Sequence, residues 1–142
     1  MKEQGFYIEK EIPSKWWVMI YADVKTESDL EQVYGAILSA GAGHRKAANA
    51  VTVLSKPNTG YIYSNLERQF SLIAVAHATN YAEMFNSVNH EINHLTAHVC
   101  EWFMYQTGTE KSAYIQGEIS ENMYPIVAMS ICPKCNCGRR HE

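Results

Sequence analysis

The sequence predicts an α+β domain in which a small mixed sheet, with one backing helix, carries an antiparallel helix hairpin. Short runs of strand-forming residues fill the first half of the chain, a long apolar stripe with helical spacing follows, and a glycine-containing break precedes a second helical segment. The predicted element order is β-α-β-β-β-α-α. We expect residues 1–130 to form this single domain and residues 131–142 to form a cysteine-rich tail.

The first half of the chain contains the predicted strands and the backing helix. Residues 15–24 are rich in aromatic and β-branched side chains, which predicts a buried strand. Apolar residues at helical spacing predict a helix over 27–40, which ends at two nearby glycines. Shorter strands are predicted at residues 51–54, 60–63 and 70–77, with a proline-asparagine turn between the first two.

The second half of the chain predicts the hairpin. Asn80 and Glu83 have capping-box spacing, and no proline or glycine interrupts residues 80–105, so a long helix is expected there. Gly108 then offers a left-handed cap, and a second helix is predicted over 110–129, kinked or shortened by its proline. The first helix carries apolar residues three and four apart: Phe85, Val88, Ile92, Leu95, Val99, Trp102 and Phe103.

Composition excludes several classes of protein. Apolar residues make up 46% of the chain and charged residues 19%, as in ordinary globular domains. The net charge of −3 argues against nonspecific nucleic-acid binding, and no apolar run reaches the roughly 20 residues that span a bilayer. The first residues lack a signal-peptide pattern. We therefore expect a cytoplasmic protein with neither nucleic-acid nor membrane partners; the sequence does not predict its oligomeric state.

An H-E-x-x-H motif, formed by His90, Glu91 and His94, lies within the first predicted hairpin helix. Histidines four residues apart share one helix face, with Cβ atoms about 5–6 Å apart. Both imidazoles can then bind one zinc ion, and the glutamate can act as a general base on a water molecule. The alternative is a core helix with polar histidines.

A catalytic zinc site needs a third protein ligand. His98 lies about 12 Å along the helix from His90, too far to share a metal with both histidines, and Glu101 fails for the same reason. The second helix offers Glu110, with Glu118 and Glu121 as alternatives; Glu110 would otherwise serve as a helix cap. One face of that helix, expected to pack against the first, carries Glu110, Ala113, Tyr114, Gly117 and Glu121.

These motifs resemble a known family. The H-E-x-x-H motif, followed after a short linker by E-x-x-A-Y-x-x-G from Glu110 to Gly117, is similar to small metallopeptidases found in phages and mobile elements. It is more distantly similar to the ImmA/IrrE metallopeptidases, whose longer motif includes the position of His98. The resemblance covers residues 59–126. It implies a minimal zincin-like fold in a host-cell cytoplasm, with Zn²⁺ bound by His90, His94 and Glu110 and with Glu91 as the base.

The tail contains a second candidate zinc site. Cys132, Cys135 and Cys137 resemble half of a zinc knuckle, with His141 close behind. Structural zinc sites normally draw ligands from two separated segments, so Cys100 or a second subunit would have to complete the site. A flexible or redox-sensitive tail is the alternative.

The sequence therefore favours a zinc-dependent metallopeptidase that acts on a peptide or protein substrate. The main alternative is a phage-encoded structural or interaction module that keeps the H-E-x-x-H helix, with or without zinc, but cleaves nothing. A di-iron protein fits less well, because that fold needs four ligand-bearing helices. Six side chains are candidate donors to the oxyanion of the transition state: Tyr81, Tyr105, Tyr114, Tyr124, His77 and His98.

Overall fold

The computed structural model describes residues 1–129, which form a four-stranded sheet with a pair of helices on each face. The predicted α+β class with a mixed sheet is confirmed. Within residues 1–129, no helix is long and apolar enough to cross a membrane. In chain order the elements are β1 (Lys2–Ile8), β2 (Trp16–Val24), α1 (Glu27–Ser39), α2 (His44–Leu54), β3 (Gly60–Asn65), β4 (Phe70–Ala76), α3 (Tyr81–Phe103) and α4 (Glu110–Ala128).

The strands lie in the order β1-β2-β4-β3, so β1 and β3 form the two edges. The central pair, β2 and β4, is parallel, and both edge strands pair antiparallel with their neighbours. Because side chains alternate between the faces of a strand, each central strand contributes to two cores. Trp16, Val18 and Ile20 pack towards α3 and α4, whereas Leu72 and Ala74 pack towards α1 and α2.

The first helical layer differs from its prediction. Helix α1 forms as expected, with a capping box between Thr26 and Asp29. The predicted strand at 51–54 is wrong, because these residues form the last turn of α2. Ala47, Ala50 and Leu54 are buried at helical spacing, which a short apolar run read alone does not reveal. The sheet therefore has two backing helices rather than one.

Strand β1 was not predicted from the sequence. It is an edge strand in which only Phe6 and Ile8 are buried, so its pattern is largely polar. Its Gly5 lies beneath the indole of Trp17, where a side chain would overlap the ring. The same indole packs against Tyr7, with ring centroids 4.6 Å apart. Gly5 thus allows an aromatic side chain to cover the sheet edge.

Helices α3 and α4 form the predicted hairpin. Asn80 caps α3, with its side chain accepting a hydrogen bond from the Glu83 amide at 2.9 Å. The left-handed C-cap of α3 is Met104 (φ 61°), ahead of the expected Gly108. Helix α4 begins at Glu110 and continues through its proline.

The face of α4 that packs against the domain was predicted wrongly. Its buried stripe contains Ile115, Ile119, Met123 and Ile126. The face expected to approach α3 is exposed instead, and it carries Glu110, Ala113, Tyr114, Gly117 and Glu121.

We expect Gly5→Ala to destabilise the protein. The new Cβ would lie 2.1 Å from a ring carbon of Trp17, which would have to leave its packed position. Overpacking of this kind costs about 1–3 kcal/mol. Gly35→Ala is the matched control, because its Cβ would meet nothing within 4 Å in the interior of α1, and it should stabilise the protein by about 0.5–1 kcal/mol. Urea unfolding of both variants measures the difference; equal effects would contradict the packing of Trp17.

Candidate metal centre

His90 and His94 bring their ring nitrogens together on the exposed side of α3. Their Nε2 atoms are 3.1 Å apart, and their ring centroids are 4.7 Å apart. The nitrogens of two ligands at 2.0–2.1 Å from a tetrahedral zinc ion are roughly 3.3 Å apart. The two imidazoles are therefore arranged in a way that fits one shared cation. Without a cation, one Nε2–H would donate a hydrogen bond to the other Nε2.

Glu91 lies on the same helical turn, at the margin where α3 meets the sheet. Its side chain is buried, with only 3% of the residue exposed, and its Oε2 atom has no hydrogen-bond partner among the described residues. Burial raises the pKa of Glu91 from its usual value of 4.5 to about 7. A buried polar atom without a partner is rare in folded proteins and costs stability, which makes this carboxyl a candidate functional group.

A cleft of about 280 Å³ joins Glu91 and His90 to the edge strand β3. Its walls come from α3, from the end of α2 at Val53 and from the turn that leads into β3 at Gly60. A Cβ atom at Gly60 would lie 2.9 Å from both Cγ and Oε1 of Glu91. The glycine thus provides the space in which the buried carboxyl sits.

Glu110 is not brought to the histidines. Its side chain is exposed, and its Oε1 accepts a hydrogen bond from the Tyr114 hydroxyl at 3.2 Å. Helix α3 continues to Phe103, about 13 Å beyond His94, so the closed end of the hairpin lies far from the motif. Helix α4 also meets a different face of α3. Gln116 and Tyr124 hydrogen-bond to Asn93 and Asn89, not to the histidines.

The two alternative carboxylates on α4 do not replace Glu110. Glu121 is exposed on the outer face. Glu118 is buried and accepts hydrogen bonds from the backbone amides of Glu9, Lys10 and Glu11 at 2.8–3.2 Å. These three consecutive amides form a nest that binds the carboxylate and fixes the β1–β2 loop on α4. Glu118 therefore has a structural role.

The second candidate zinc site lies outside the described residues, since Cys132, Cys135, Cys137 and His141 all follow residue 129. Cys100 is fully buried in the core formed with α3 and α4, and burial raises the pKa of its thiol. Within residues 1–129, no group of three or more His, Cys, Asp or Glu side chains is placed to bind one metal ion. Of the predicted ligands, the described residues bring together only His90 and His94.

His98, one of the candidate oxyanion donors, lies beside the histidine pair. Its ring is 6.3 Å from that of His94, one helical turn further along α3. Burial and the neighbouring His94 lower the pKa of His98. His77 instead pairs with Asp23 at the end of β4, at 2.8 Å. The tyrosines are engaged elsewhere, Tyr114 with Glu110, Tyr124 with Asn89, Tyr105 with Phe103 and Tyr81 with Phe85.

Comparison of the chain with protein-family models, with curated proteins and with solved structures found no match.

Sequence reasoning missed the residues that support the site from the sheet. Gly60 was assigned only to a strand, although a glycine inside a strand often marks a close approach of another group. Ser64 and Ser71, which connect His98 to the core, were not singled out. Their contacts depend on the pairing of β3 with β4, which a single sequence does not reveal.

We expect Gly60→Ala to destabilise the protein by about 1–3 kcal/mol, because the new Cβ displaces the Glu91 carboxyl. Combining Gly60→Ala with Glu91→Ala should remove most of this cost, since the truncated side chain leaves room. Urea unfolding of the four proteins in this double-mutant cycle measures the coupling. Gly117→Ala, whose Cβ meets nothing within 4 Å, is the control. Equal costs of Gly60→Ala in both backgrounds would show that the two residues do not touch.

Proposed function

We propose that this protein is a zinc-dependent metallopeptidase in which His90 and His94 bind the metal and Glu91 is the general base. The observation that carries this proposal is the 3.1 Å separation of the two Nε2 atoms on the turn that also holds the buried carboxyl. Neutral imidazole nitrogens are common zinc ligands. A bound zinc ion would polarise the substrate carbonyl and lower the pKa of a water molecule towards about 7.

In this proposal, Glu91 is the residue that accepts and donates the protons. Its raised pKa of about 7 suits a group that takes a proton from water and gives it to the leaving amine near neutral pH. Its Oε2 is buried and has no hydrogen-bond partner within residues 1–129, so no hydrogen bond there competes for the lone pairs of this oxygen. The cleft between α3 and β3 is lined by Glu91 and gives a water molecule a route to the carboxyl.

The edge strand supports a peptide as the substrate. Among residues 1–129, no strand pairs with the outer side of β3, and clefts on this side reach both His90 and His98. Exposed strand edges commonly bind an extended peptide as an added strand. A peptide bound along β3 would pass beside the histidine pair, which gives the scissile bond access to Glu91.

The missing third ligand favours a second candidate function. Catalytic zinc sites generally have three protein ligands and an open position, and the described residues bring together two. A module that binds a divalent cation through His90 and His94 without cleaving peptides needs no third ligand. The buried carboxyl of Glu91 favours the peptidase, because a binding module has no use for an unpartnered acid in its core.

We expect the purified protein to contain about one zinc ion per chain and to cleave members of a fluorogenic peptide library. Glu91→Gln should lower kcat by about 10²- to 10⁴-fold while zinc stays bound, because the residue does not ligate the metal. Glu121→Gln, an exposed acid on α4, is the control and should leave kcat unchanged. Zinc content is measured by elemental analysis. Zinc binding without cleavage by the wild type would favour the binding module, and failure to bind zinc would contradict both candidates.

We expect Glu110→Gln to leave zinc affinity unchanged, since its carboxyl is exposed and hydrogen-bonded to Tyr114. His94→Ala should weaken zinc binding by more than the roughly 10- to 100-fold that loss of an outer-shell partner costs. His44→Ala, an exposed histidine on α2, is the control. Calorimetric titration with zinc measures all three. A large loss of affinity in Glu110→Gln would show instead that α4 turns this residue towards the histidines when metal binds.

A further inference from the structure

A chain of hydrogen bonds runs from the centre of the sheet to His98. The Trp16 indole donates from Nε1 to Ser71 Oγ at 3.0 Å, the Ser71 and Ser64 hydroxyl oxygens are 2.6 Å apart, and Ser64 Oγ lies 2.7 Å from Nδ1 of His98. Trp16 and Ser71 are completely buried. Ser64 and Ser71 face each other directly in the β3–β4 register. Three neighbouring strands thus support one histidine of α3.

The tryptophan sets the direction of this chain. An indole N–H only donates, so the Ser71 oxygen must accept from Trp16. The Ser71 hydrogen then has Ser64 as its acceptor, and the side-chain acceptor that the described residues offer to the Ser64 hydrogen is Nδ1 of His98. If Ser64 donated to Ser71 instead, Ser71 would accept from both Trp16 and Ser64. The hydrogen of Ser71 would then be buried without an acceptor within residues 1–129. A buried donor without an acceptor destabilises the fold, so this arrangement is disfavoured.

We infer that Trp16, Ser71 and Ser64 hold His98 as the neutral imidazole with its hydrogen on Nε2, and that this N–H donates to the carbonyl oxygen of a bound peptide. The second part rests on the proposed peptidase. His98 lines a cleft of about 250 Å³ along β3, together with Tyr61 and Tyr63. A carbonyl oxygen that gains charge in the transition state needs such a preorganised donor. Trp16, Ser71 and Ser64 are positioning residues.

The tautomer is measured directly, without any assay of activity. In the full-length, ¹⁵N-labelled protein at pH 7.5, long-range ¹H–¹⁵N correlation spectra distinguish a protonated from an unprotonated ring nitrogen. We expect His98 to show an unprotonated Nδ1 and a protonated Nε2. Ser64→Ala removes the hydrogen bond to Nδ1 and should produce a measurable population of the other tautomer. Ser120→Ala, which removes a hydroxyl from α4, should not. A wild-type His98 protonated on Nδ1 would overturn the inference.

Kinetics test the contact with the peptide. His98→Phe should lower kcat by about 100-fold, as loss of one oxyanion donor does, with little change in KM or zinc content. Ser64→Ala should lower kcat by a smaller factor, and His44→Phe should have no effect. Unchanged kcat in His98→Phe would refute the contact with the peptide.

The spectra and the kinetics separate this inference from the proposed function. A wild type that cleaves no peptide, with His98 protonated on Nε2, would overturn the peptidase and the catalytic role of His98 while upholding its tautomer. An active enzyme with the Nδ1–H tautomer would overturn the inference and leave the peptidase standing.

Discussion

The rotation of α3 about its axis is the constraint on which the candidate site depends. Its buried stripe of Val88, Ile92, Leu95 and Val99 has to face the sheet, because removing these side chains from water stabilises the domain. With the stripe fixed, the turn at residues 90–94 has its two histidines outside and Glu91 at the buried margin beside β3. The same rotation turns the asparagines of this turn towards α4. The packing of a hydrophobic core therefore sets the orientation of every group in the H-E-x-x-H motif.

Local signals predicted much of the fold. Asn80 gave the start of α3 and the uninterrupted stripe most of its buried face, because caps and helical periodicity lie within a few residues of one another. Phe85 and Trp102, at the two ends of the predicted stripe, are exposed. The strand assigned to residues 51–54 failed, since four apolar or β-branched residues fit a strand as well as a helix end. β1 was missed because its stability comes from pairing with β2, and an edge strand needs few apolar residues.

The parts of the candidate site that could be predicted are those whose residues are close in sequence, and the parts that could not are those brought together by packing. The histidine pair follows from i,i+4 geometry alone. The prediction of Glu110 as the third ligand depended on how α4 is rotated about its axis. The small residues Ala113 and Gly117 suggested the wrong face of α4 for packing against α3. The buried stripe of α4 could be read from the spacing of Ile115, Ile119, Met123 and Ile126. This stripe determines which face of α4 is buried, because burying large apolar side chains stabilises the fold more than the close approach of two small residues does.

The position of α4 over the sheet explains why the candidate site is open on the side of β3. Glu118 uses its charge to bind three backbone amides at the β1–β2 loop, which fixes α4 over the β1 half of the sheet. The β3 half is left to α3 alone, so the free edge of β3 stays accessible beside the histidines. Raising the pKa of Glu91 from 4.5 to about 7 costs about 3 kcal/mol when the group is ionised. No contact of this carboxyl within residues 1–129 offsets that cost. In the proposed peptidase, this carboxyl would transfer protons in the cleft at the accessible edge of the sheet.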